Sequence, residues 1–106
     1  MMIFDYKRKP TKATIFGKEY EIPTKTTFFV SEMNRINSEI AKADELRSAE
    51  LTLEGIALFL GEEFVKEHYT SPVGELDTDE IGALWLFLIR ASTKATADVL
   101  KEYAAD

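Results

Sequence analysis

The chain has 106 residues, 45% of them hydrophobic and 11% aromatic, with a formal net charge of −6. That is the composition of a folded chain rather than a disordered one, and its length fits one domain, residues 1–106, with a real core. Cysteine is absent, which excludes a disulfide framework, a thiolate zinc site, an iron–sulfur cluster and a cysteine nucleophile.

The charge is unevenly spread. Residues 1–27 carry six basic and three acidic side chains, net +3, whereas residues 28–106 carry seven basic and sixteen acidic, net −9. An acidic body repels phosphate, which argues against nucleic acid bound through the helices. The charges of Lys7, Arg8 and Lys9 follow a very short apolar run, the reverse of a secretory signal. The longest nearly uncharged stretch, Ile81 to Ile89, has nine residues, against about 20 for a membrane span. The expectation is a cytoplasmic protein with no membrane partner.

Residues 1–12 are polar and basic and contain Pro10, as a leader or an edge strand would. Residues 13–23 then spell a β-hairpin, two β-type runs flanking Gly17-Lys18, with Ile15, Tyr20 and Ile22 as its apolar cover and Pro23 as its end. A lone hairpin is marginal in water and must pack on something. The next element is a helix over about 27–46, capped by Thr26 or Thr27 and carrying the stripe Phe29, Met33, Ile36, Ile40, Ala43. A second helix is predicted over about 53–69, with Thr52 as its cap and Leu53, Ile56, Ala57, Leu60 and Phe64 facing inward. The breakers Thr70-Ser71-Pro72-Val73-Gly74 stop it. A third helix is predicted over about 79–104, its start marked by Asp77-Thr78-Asp79-Glu80 and its stripe running from Ile81, Leu84, Trp85 and Leu88 to Tyr103. The expected fold is mainly α, an N-terminal β-hairpin followed by a three-helix domain.

Catalytic signals are missing. The glycines make no phosphate loop, and no Ser sits in a nucleophile motif. Glu63, Glu67 and the lone His68 have helical spacing that two or three metal ligands could share, but no second ligand cluster accompanies them. The expectation is therefore no metal, no cofactor and no enzyme activity. What remains is apolar surface. Leu58, Phe59 and Val65 fall off the stripe of the second helix, and Leu86 and Phe87 fall off that of the third, to either side of the direction of Arg90. A helix apolar on more than one face is either central in a fold or covered by a partner. These six residues are the sequence's candidates for partner binding.

The hairpin phrase Thr14-Ile15-Phe16-Gly17-Lys18-Glu19-Tyr20-Glu21-Ile22-Pro23, followed by an acidic helical body entered at Glu75-Leu76-Asp77-Thr78-Asp79-Glu80, resembles the small tail assembly chaperones of long-tailed bacteriophages and prophages. The resemblance implies a non-enzymatic protein of the host bacterial cytoplasm. It would self-associate and keep a long helical client, the tape measure protein, soluble until the tail tube forms. It brings no catalytic or position-specific binding residues. Two other roles stay open at this point: a phage structural or connector subunit, and a small regulatory domain that binds through its basic leader.

Overall fold

The computed structural model describes residues 2–7 and 9–104, so Met1 and Arg8 of the leader lie outside the described residues. Strands β1 (Thr11–Ile15) and β2 (Lys18–Ile22) form an antiparallel hairpin. Four helices follow, α1 (Thr27–Ile40), α2 (Glu45–Leu60), α3 (Glu62–His68) and α4 (Thr78–Ala104), with a 3-10 turn at Val73–Glu75 before the last. The expected mainly-α architecture with an N-terminal hairpin is what forms, with four helices where three were anticipated.

The hairpin turn differs by one residue from the sequence expectation. Ile15 pairs with Lys18, so the two turn residues are Phe16 and Gly17, not Gly17 and Lys18. Their φ angles are +51° and +79°, the paired positive values that a tight hairpin turn needs to match strand twist. An aromatic residue rarely adopts that conformation. Phe16 is held there by its ring, 6.1 Å from Phe64 and parallel to it, and 5.0 Å from the His68 imidazole. The hairpin tip is thereby docked on α3.

The anticipated helices over 27–46 and 53–69 are divided differently. Thr26 caps α1, its hydroxyl oxygen accepting from the Phe29 amide at 3.1 Å. The helix then tightens, Lys42 donating to Glu39 and Ala43 to Ile40 through bonds of 3.1 and 3.2 Å. Asp44 starts α2 afresh, its carboxylate accepting from the Arg47 amide at 2.8 Å. Asp44 outcompetes continuation because its side chain satisfies an amide that a new first turn leaves free. Thr52, expected as a cap, is buried in the middle of α2 and its hydroxyl donates to the Ser48 carbonyl at 2.8 Å. Gly61 separates α2 from α3 with φ +92° and ψ 155°, a region essentially confined to glycine. At α4, Asp77 accepts from the amides of Asp79 and Glu80 at 2.9 and 3.1 Å, as the acidic start of the sequence foretold.

Helix α2 is central: it packs on α1, α3, α4, β2 and the 3-10 turn. The core runs through it, from Ile15 and Ile22 of the hairpin to Ile36 of α1, Leu51 and Ile56 of α2, and Ile81 and Leu88 of α4. Three aromatic rings lock the helices together. Phe59 meets Phe29 edge-on at 5.0 Å and Trp85 at 5.7 Å, geometries favoured by the ring quadrupoles. The Trp85 indole N–H donates to Asn37 at 3.2 Å, tying α4 to α1. On the outer side, Arg35 of α1 forms ion pairs with Glu32, Glu39 and Glu54, the last on α2. These hydrogen bonds, to Glu32 first and Glu54 next, raise the guanidinium pKa further.

The molecule measures 59 × 32 × 19 Å with a radius of gyration of 16.0 Å, against about 13 Å for a compact chain of this size. The elongation belongs to α4, whose 27 residues extend about 40 Å. Its first half lies on the core. Its second half meets the leader instead, where the Tyr103 ring lies tilted against Phe4 and Tyr6 at 5.5 and 5.7 Å and its hydroxyl donates to the Asp5 carbonyl at 3.0 Å. Lys9 pairs with Glu102 at 3.4 Å beside this clasp.

Candidate protein-interaction surface

The six candidates separate into two groups. Phe59 is only 3% exposed and forms the middle of the edge-on Phe29–Phe59–Trp85 cluster. It is a core residue, and its assignment to a partner surface is corrected. Leu58 and Val65 are half-buried and pack against the same core, so they too are absorbed by the fold. For Leu58 and Phe59 the cause is the position of α2 between α1 and α4, which uses several of its faces at once; Val65 lies on α3, which packs against α2. The alternative that apolar residues off the main stripe signal a central helix therefore holds for the second predicted helix.

Leu86 and Phe87 of α4 behave differently. They are 46% and 45% exposed, and Arg90 beside them is exposed as well. Residues three and four apart share a helix face, so Arg90 stands one turn beyond both Leu86 and Phe87. The inward side of the same stretch is fully committed, with Leu84, Trp85 and Leu88 buried. Leu86, Phe87 and Arg90 thus form one continuous outward patch.

Phe87 also turns toward the hairpin. With Ala91, Lys94 and Ala95 it forms one wall of a shallow groove of about 380 Å³, whose other wall is β1 from Thr11 to Thr14. The patch has an apolar centre at Leu86 and Phe87, a cationic side at Arg90 and Lys94, and a strand alongside. An apolar centre with Arg on its edge is the composition of a protein-binding surface.

Other exposed apolar residues escaped the sequence reading: Phe16, Phe28, Leu46 and Leu100, together with Met2, Ile3 and Phe4 of the leader. Phe28 carries a legible signal, since two adjacent Phe residues at a helix start cannot both face inward. Phe16 carries none, because its exposure follows from the turn register. The Glu63–Glu67–His68 cluster is occupied otherwise. Glu63 pairs with Lys66 at 3.7 Å, and the His68 ring lies against Phe64 at 4.4 Å. Among the described residues no group of three His, Cys, Asp or Glu side chains could hold a metal, and no helix is long and apolar enough to cross a membrane.

The chain matches no family model, no curated protein and no solved structure.

Proposed function

We propose that this chain is a non-enzymatic assembly chaperone of the phage tail type, which covers the apolar stripe of a helical client and keeps it soluble. The observation that carries the reading is the patch of Leu86, Phe87 and Arg90 on α4, left outside a core that absorbs the other off-stripe apolar residues. A helical client would lay its own apolar face on this helix, as in helix-in-groove recognition. The net charge of −6 keeps such a complex soluble, while Arg90 and Lys94 give the patch itself a cationic edge. The likeness of the hairpin and acidic helix entry to the tail assembly chaperones supplies the identity of the client, a tape measure protein, and the setting, the host bacterial cytoplasm. Self-association of the free chain through the same patch accords with that role.

Co-expression with the products of neighbouring genes tests the reading. A long, helical neighbour is expected to become soluble with the wild-type chain and to fall out of solution with Phe87→Asp. If no such neighbour co-purifies, or if Phe87→Asp holds it equally well, the proposal fails. Recovery of the chain in finished particles would make it a structural subunit instead.

A further inference from the structure

A second, larger groove adjoins the first at Thr11, Ala95 and Asp98, between the leader, the open end of the hairpin and the C-terminal half of α4. Its volume is about 1060 Å³, at the upper end of what small-molecule pockets span, and it is open to solvent. Ile22, Val30, Ala95 and Val99 give it an apolar floor. Ser92 lines the same floor, 2% exposed, with a hydroxyl that makes no hydrogen bond. Buried polar groups in proteins are nearly always partnered, which makes this hydroxyl an exception in the fold beneath the groove.

The rim is positive in an otherwise negative molecule. Its lining carries Lys7, Lys9, Lys25 and Lys101 against two acidic residues, Asp98 and Glu102. Lys9 is engaged with Glu102, whereas Lys7, Lys25 and Lys101 make no ion pair among the described residues. Three free cations over an apolar floor call for an anionic ligand that also carries apolar side chains.

We propose that this groove receives an acidic segment of a partner polypeptide, its carboxylates on Lys7, Lys25 and Lys101 and its apolar side chains on the floor around Val99. A polypeptide fits better than nucleic acid, because the chain's net charge of −6 opposes a dense polyphosphate while a few carboxylates meet only the local field. The apolar floor would be wasted on a phosphate backbone. The groove's lining shares Thr11, Ala95 and Asp98 with the smaller groove but does not include Leu86, Phe87 or Arg90, so Lys25 and Lys101 can be changed without altering the patch of the chaperone reading.

Fluorescence anisotropy with a labelled twelve-residue peptide of repeated Glu-Leu-Glu-Ser is the test, run beside a twelve-nucleotide oligo-dT and phosphatidylglycerol vesicles. The full chain is expected to bind the peptide and to lose about tenfold in affinity between low and high salt. The double variant Lys25→Glu/Lys101→Glu is expected to weaken it by roughly tenfold or more. An equal charge change outside the groove, Lys42→Glu/Lys66→Glu, is expected to alter it by less than about threefold. Circular dichroism and Trp85 emission report folding. Should the groove variant misfold, Lys101→Glu alone, on an exposed helix position, carries the test. Equal weakening by the two double variants, no peptide binding, or tighter binding of oligo-dT or vesicles would each overturn the proposal.

Discussion

Gly55 and Trp85 meet where α2 crosses α4, so closely that a methyl group on Gly55 would lie 2.6 Å from Cη2 and 2.9 Å from Cε3 of the indole. The same ring is fixed from two further sides, by Asn37 on α1 and Phe59 on α2, and has no room to retreat. In an exposed helix, Gly→Ala would gain about 1 kcal/mol from propensity. Here overpacking, typically about 1–3 kcal/mol, opposes it. Gly55→Ala is expected to lower the urea midpoint and to change Trp85 emission; a raised midpoint would show that the helices slide apart freely.

Phe59 and Phe87 are both off-stripe aromatics, and truncation separates them. Phe59→Ala removes the centre of the aromatic cluster and is expected to cost about 3–5 kcal/mol. Phe87→Ala, on the half-exposed patch, is expected to cost less than about 1 kcal/mol. Comparable losses in chemical denaturation would contradict the division into core and surface.

Gly61 has open space around it, with no atom within 4 Å of an added Cβ. Any cost of Gly61→Ala is therefore conformational and follows from its φ of +92°. The expected loss is on the order of 1–3 kcal/mol, with the spectroscopic signature of the core unchanged. A neutral result would mean that the α2–α3 junction relaxes to a helical bend.

Tyr69 gives a pH dependence with a definite sign. Burial of its phenol first, and the nearby Glu80 carboxylate second, push its pKa from 10.0 to about 12. Its hydroxyl has no partner in normal hydrogen-bond geometry. The folded state thus holds a proton that the unfolded chain releases, so this contribution to stability is complete below pH 10 and is lost as pH rises toward 12. Tyr69→Phe is expected to be at least as stable as wild type at neutral pH and to lose less stability above pH 10. Parallel alkaline profiles for the two proteins would refute this.

The elements most legible in the sequence were those whose signals agreed. The Asp77 cap, the stripe through Leu88 and the breakers after Tyr69 all pointed to one long last helix, and Thr26 marked the start of the first. The errors came where a local choice between near-equal options was decided by packing. Ala41-Lys42-Ala43 favours helix, yet Asp44 ends it by capping its successor. Gly17 could begin or finish a two-residue turn, and the contact of Phe16 with Phe64 and His68 selects the second option. The surface followed the same rule. Periodicity marked Leu58, Phe59, Leu86 and Phe87 alike as off-stripe, and only the placement of α2 between two other helices sends the first pair inward. The larger groove could not be read at all, since it joins residues from Tyr6 to Glu102 that no periodicity relates.

The overhang of α4 makes the molecule unequal in its resistance to local opening. Amide protons from Ile81 to Ser92 belong to the stretch anchored in the core by Ile81, Leu84, Trp85, Leu88 and Ser92 and should exchange with solvent only when the whole fold opens. Those from Val99 to Tyr103 are guarded chiefly by the clasp of the leader on Tyr103, and sub-global opening can expose them far more often. Deleting residues 2–7 should accelerate exchange in that last stretch by an order of magnitude or more while leaving the first unchanged. One continuous helix is therefore expected to behave as two cooperative units, its far end ordered or released without disturbing the core.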